Sequence, residues 1–375
     1  MERIVKYAFM FLIIVALILS GWLKIQEAEA AFTKLPNPAD LPTGHGHSSS
    51  FSLDGTHLAI AHMKEPYVTI YKRSGDTFTK LTNQPDVLPT GNGFGGSFSP
   101  DGTYLAAAHD KAPCITIYKR DGDTFTKLND PDVLPTTVGR SVSFITTTDG
   151  TYLAVAHKAS PYLTIYKRSG DTFTKLTNQP DVLPAGYGYN ASFSADGTCL
   201  AVAHATSPRV TIYKRSGDTF TKLANPDVLP PSVGLGASFS PDGTCLAISH
   251  DSSPYVTIYK RSGDTFTKLA DPADLATGYG YGASFSPDGT CLVVAHDKSP
   301  YVTIYKRSGD TFTKLANPDI LPTNVGCGPS FTADGAYLAV GHDDYPFLTI
   351  YKVDPIHPTS ANNGGGATTL LIGSK

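Results

Sequence analysis

Glutamate is nearly absent from this chain of 375 residues, occurring only at Glu2, Glu27, Glu29 and Glu65. Chemistry built on paired glutamates is therefore excluded from everything after Glu29. Every other acid is Asp, whose short side chain bonds nearby backbone N–H groups and suits turns. Tryptophan occurs once, at Trp22. The net charge of −3 gives no surplus of positive charge, so no nucleic-acid partner is implied. A Gly-x-Ser-x-Gly elbow, a Cys-x-x-Cys pair and a phosphate-binding loop are all missing, and with them the common marks of a catalytic site. No cofactor and no metal are expected. Long apolar runs are missing too, except for Tyr7–Leu23.

Cysteine is sparse, at Cys114, Cys199, Cys245, Cys291 and Cys327.

What is present is a repeat. Phe-Thr-Lys-Leu begins at Phe32, Phe78, Phe125, Phe173, Phe220, Phe266 and Phe312, with a period of about 46 residues. An Asp-Gly turn recurs at Asp54, Asp101, Asp149, Asp196, Asp242, Asp288 and Asp334. Tyr-Lys recurs at Tyr71, Tyr118, Tyr166, Tyr213, Tyr259, Tyr305 and Tyr351. One unit reads as four strands. Ala283–Ser286 is a short strand and Pro287–Thr290 a tight turn. Cys291–His296 is a strand apolar on both faces, and Tyr301–Tyr305 is rich in β-branched and aromatic residues. A turn at Arg307–Asp310 leads to Thr311–Leu315.

Four antiparallel strands per unit describe an all-β, seven-bladed β-propeller. A stacked solenoid is the alternative, and the chain ends decide against it. Phe32 begins a fourth strand with no unit before it, and the last unit stops at Tyr351 after its third strand. Together the two remainders make one blade, so strand 32–35 is expected to pair with Phe347–Tyr351 and close the ring. Closure removes the exposed edges that an open array must cap.

Phe-Ser-Pro-Asp-Gly-Thr, then Leu-Ala-Val-Ala, then Val-Thr-Ile-Tyr resembles the WD-repeat superfamily and the TolB-type, lactonase-type and YVTN-type propeller repeats, over residues 31–352. The chain departs from true WD repeats in carrying Tyr-Lys where they carry Trp-Asp. The resemblance implies the fold; by fold analogy alone it admits lactonase-like hydrolysis, for which His45, His47 and Arg140 would be the residues to suspect.

Residues 1–30 read as a signal peptide or signal anchor. Arg3 and Lys6 precede the apolar run, and Ala28-Glu29-Ala30 suits cleavage. The repeats are then secreted or otherwise extracytoplasmic, meeting a membrane only through that segment if it stays uncleaved. Residues 353–375, with Asn362-Asn-Gly-Gly-Gly-Ala367, read as a flexible tail.

Within a ring, residues common to every blade serve the blade. His62, His109, His157, His204, His250, His296 and His342 each end a second strand, and one ligand per blade cannot share a metal ion. Each is expected to bond loop backbone within its own blade. Cys199, Cys245 and Cys291 share one repeat position, about 10 Å apart on neighbouring blades. That exceeds the reach of a disulfide, so they read as free, half-buried packing residues. The Lys-Arg runs after the third strands are expected to make one side of the disc basic and the opposite side relatively acidic.

Function is sought where the copies differ. A segment X-Gly-Z precedes each inner strand: His45-Gly-His47, Asn92-Gly-Phe94, Val138-Gly-Arg140, Tyr187-Gly-Tyr189, Val233-Gly-Leu235, Tyr279-Gly-Tyr281 and Val325-Gly-Cys327. The Z side chains are expected to ring the mouth of the central channel. His45, His47, Phe94, Arg140, Tyr187, Tyr189, Leu235, Tyr279 and Tyr281 form the candidate ligand site, with aromatics suited to stacking on sugars or gripping a peptide. The loop after each repeat His varies too, as in Met63-Lys-Glu65 and Asp343-Asp-Tyr345, and falls on the same face. The reading is an exported, non-catalytic interaction or scaffold module at the cell surface, with a protein or a cell-surface glycan as partner. A lectin-like carbohydrate binder is the first alternative, and a lactonase-type hydrolase the second.

Overall fold

The structure, a computed structural model, describes residues 31–354. The readings of residues 1–30 and of the Gly-rich tail fall outside them. Seven sheets of four antiparallel strands form the blades. Blade 1 consists of Gly46–Phe51, His57–His62, Val68–Ser74 and Thr77–Lys80, and the same order repeats around the molecule. Blade 7 combines Gly326–Phe331, Tyr337–His342 and Leu348–Asp354 with the N-terminal strand Ala31–Lys34. Its register lies slightly past the expected one: Phe32 faces Val353 and Lys34 faces Tyr351. The third strand runs to Asp354, so the propeller extends past residue 352.

Second strands are buried along their whole length because both faces of a blade pack on neighbours. At the closing seam Leu58 and Ile60 of blade 1 share one apolar cluster with Ala339 and Ile350 of blade 7. In blades 1 to 6 the third and fourth strands are joined by two-residue Gly-Asp turns. Gly75 at the first turn position has φ 57°, as a type II′ hairpin needs. In the turn between the first two strands, Asp54 Oδ1 accepts from Thr56 N at 3.0 Å, and Ser52 Oγ accepts from His57 N at 3.0 Å.

Three expectations change in the folded chain. The repeat histidines take a side-chain partner in addition to loop backbone, which His342 meets as expected with Nδ1 2.8 Å from Asp344 O. Each Nε2 lies 2.8–3.0 Å from a Thr hydroxyl seven positions on, from His62–Thr69 to His342–Thr349. Antiparallel pairing sets that Thr on the adjacent third strand. Cys199, Cys245 and Cys291 are buried rather than half-buried, because a neighbouring blade closes over them.

The Lys-Arg runs do not make an open basic side. Six of the seven seams show them interleaved with the carboxylates of the next blade. Lys72 Nζ meets Asp123 at 2.6 Å, and the pattern continues through Lys119–Asp171, Lys167–Asp218, Lys214–Asp264, Lys260–Asp310 and Lys352–Asp76 at 2.6–2.8 Å. Arginines reach back to the preceding blade: Arg120 to Asp54 at 2.8 Å, Arg261 to Asp196 at 3.1 Å and Arg307 to Asp242 at 3.0 Å. Exposed pairs of this kind contribute about 0–1 kcal/mol each. Their larger effect is to cancel the charge that the sequence displays as runs.

Candidate functional site: the mouth of the central channel

The invariant Gly of X-Gly-Z is a packing requirement. A Cβ on Gly93 would sit 2.4 Å from the carbonyl oxygen of Tyr67 in the preceding blade, and one on Gly188 equally close to that of Tyr162. The carbonyls belong to loops of one build, with a cis Xaa-Pro bond followed by a residue at positive φ, such as Tyr67 at 66°. The loop of each blade thus presses on the Gly of the next, and X and Z part on either side of it. The loop is also tied to its own X residue, as in Met63 N to His45 O at 3.1 Å and Ala205 N to Tyr187 O at 3.0 Å. Both variable elements therefore share one face.

All seven Z residues line one central cavity of about 280 Å³. His47, Phe94, Arg140, Tyr189, Leu235, Tyr281 and Cys327 come together there, one from each inner strand. The X residues do not line it. His45 stacks on Phe347 at 6.1 Å and lies 3.7 Å from Asp343. Tyr187 leans on Tyr162 and Tyr279 on Tyr255, both at 6.4 Å. Three of the candidate residues thus sit on the surrounding face over the seams.

Inside the mouth, Arg140 lies over the ring of Phe94 at 4.3 Å and near that of Tyr189 at 5.4 Å. Burial lowers its pKa. His47 packs on Phe94 at 5.2 Å, and its buried Nε2 has no hydrogen-bond partner. Burial first, then the charge of Arg140, then His45, push the imidazole pKa down to about 4, so it is neutral at pH 7. Tyr281 is 41% exposed and faces the opening. Cys327 is buried, which holds its thiol well above the usual range.

The inner strands add a lining that the repeat comparison passed over. Ser48, Ser50, Ser97, Asn190, Ser192 and Ser330 contribute to the wall. Some of them brace adjacent blades: Gly96 N donates to Ser48 Oγ at 3.3 Å, and Phe98 N to Ser50 Oγ at 3.1 Å. For Ser50, Ser97, Ser192 and Ser330 the recurrent Ser-Phe pair was the available signal, but it has the constancy of scaffold. Among the described residues no group of three His, Cys, Asp or Glu converges as a metal site would require.

This geometry defines a closed seven-bladed propeller with a polar channel and one face of varied side chains. Residues 23–225 match the model of the family described as lactonase, 7-bladed beta-propeller. That stretch is more than half of the chain, and the protein belongs to this family. Two solved structures are similar in fold. One is the hydrazine synthase of Kuenenia stuttgartiensis, at 16% identity and a TM-score of 0.65, covering 84% of this chain and 97% of that one. The other belongs to a mitotic checkpoint complex, at 12% identity and a TM-score of 0.63, covering 88% of this chain and 94% of that one. At these identities the likeness concerns the fold alone. No curated protein matches the chain.

Proposed function

We propose that this propeller is an exported, non-catalytic binding module whose channel face receives a partner at the cell surface. The observation that carries the reading is the convergence of seven side chains of six kinds, one per blade, on a single cavity. Around them the scaffold hardly varies. A mouth of mixed aromatic, cationic and hydroxyl groups suits recognition of a small polar molecule or a protruding sugar. Export rests on the basic start, the apolar run and Ala28-Glu29-Ala30. A glycan array tests the binding reading. Saturable binding that is lost in Tyr189→Ala and Tyr281→Ala supports it, and the absence of any binding speaks against a glycan partner.

Lactone hydrolysis is the second reading, and membership of the lactonase-type family is what favours it. His47 is the one imidazole lining the channel and would be the base. No carboxylate lies among the lining residues to orient it. Turnover of a lactone panel that disappears in His47→Ala would replace the binding reading with the enzymatic one.

A further inference from the structure

The channel lining carries one permanent charge. Arg140 is its only Arg or Lys, and no Asp or Glu accompanies it. At the outer seams Arg120, Arg261 and Arg307 each meet a carboxylate, whereas Arg140 faces the rings of Phe94 and Tyr189. Arg140 is half-buried, and a guanidinium partly withdrawn from water without a counter-ion is only partly compensated by ring faces. Such a group is poised to accept an anion.

The charge count narrows which anion. With His47 neutral, the lining offers a single positive charge, which balances a monoanion and under-balances a phosphate dianion. The planar donor fork of Arg matches a carboxylate in bidentate fashion. Beside it stands His47, also a lining residue, whose buried Nε2 has no hydrogen-bond partner. The rest of the wall is hydroxyl and amide, from Ser48, Ser97, Asn190 and Ser192, with Tyr281 exposed at the opening. At about 280 Å³ the cavity lies at the small end of ligand sites, which run to about 1,000 Å³.

We infer that the channel mouth binds a small polyhydroxylated monocarboxylate, a sugar acid of the uronate type, with its carboxylate on the Arg140 guanidinium. The inference rests on the reading of the mouth as a binding site. The test is calorimetric titration of the full chain with glucuronate, its neutral methyl ester, glucose and inorganic phosphate. Glucuronate is expected to bind at least tenfold more tightly than the other three, and acetate to compete with it. Arg140→Gln is expected to lose tenfold or more in glucuronate affinity, and Arg140→Lys to keep part of it. The melting temperature of Arg140→Gln should equal or exceed that of the parent, because a half-buried cation without a carboxylate partner has been removed.

Equal binding of glucuronate and glucose, failure of acetate to compete, or unchanged affinity in a folded Arg140→Gln overturns the anion assignment and leaves a neutral-sugar site. Phosphate binding more tightly than glucuronate overturns the monocarboxylate. No saturable binding of any sugar or sugar acid overturns the inference together with the glycan reading beneath it.

Discussion

The ring is sewn together in two ways. One repeat position, after Asp-Gly-Thr in most blades, holds His57, Tyr104, Tyr152 and Tyr337 in blades 1, 2, 3 and 7, but Cys199, Cys245 and Cys291 in blades 4, 5 and 6. In the first group the ring reaches the next blade. His57 Nε2 lies 3.0 Å from Asp123, and Tyr104 donates to Asp171 at 2.6 Å. Tyr152 donates to Asp218 and Tyr337 to Asp76. Each also meets a Phe of the next blade edge-on, at centroid distances of 5.6–6.3 Å. In the second group a small buried sulfur takes that place.

The neighbouring arginines adapt to the difference. Arg73, Arg168 and Arg215 lie over Tyr337, Tyr104 and Tyr152 at 4.7–4.9 Å. Arg261 and Arg307, lacking a ring beneath them, donate to Thr198 and Thr244 at 2.6 Å. One backbone repeat thus supports two kinds of seam. The Asp-Gly-Thr turn is common to both and supplies the arginine with an alternative partner.

Acid is expected to have the largest effect, and to blur the contrast between the seams. The repeat histidines of all seven blades have pKa values lowered by burial to about 4. The unfolded chain, with His near ~6.5, binds protons first as pH falls. Stability is therefore full above ~6.5 and is lost toward pH 4, equally around the ring. A fall of several kcal/mol between pH 7 and 4.5, followed by urea unfolding, is the expected result. The seam carboxylates act lower. Asp196 and Asp242, held down to about 2 mainly by hydrogen bonds that outweigh burial, give up their contribution between ~3.9 and 2.

Mutations sharpen the contrast. Tyr152→Ala should lose about 3–5 kcal/mol, as large-to-small changes of buried aromatics do. Cys245→Ala at the equivalent position should lose about 1 kcal/mol, the centre of the usual range. Tyr337→Phe removes the hydroxyl's bonds to Asp76 and Arg73 while keeping the ring, and should lose about 0.5–1.5 kcal/mol, measured by chemical denaturation. Smallest is the effect of Cys291→Ser on thiol labelling. The buried cysteines should react with a thiol reagent only through opening of the seams, and losing one site should lower the labelled count without speeding the others.

Much of this was legible in the sequence because the repeat is short-range. The strand pattern, the Asp-Gly and Gly-Asp turns and the unmatched end strands Phe32–Leu35 and Phe347–Tyr351 all show in single units. The Z positions were legible for the opposite reason, since they vary within a constant frame. The placing of His45, Tyr187 and Tyr279 outside the channel was not legible. It depends on the carbonyl of the preceding blade pressing against the intervening Gly. The pairing of Lys72 with Asp123, and of Arg120 with Asp54, was hidden because those partners lie a full blade apart.

The sequence by itself determined the number of blades, the closure of the ring and the seven positions that face the channel. These follow from periodicity and strand alternation, which are local and additive. Only the tertiary structure decided that the charge runs are neutralised, that the histidines bond threonines and that Arg140 stands alone among rings. Those outcomes depend on what the neighbouring blade brings to within a few ångströms, and a period along the chain does not encode that distance.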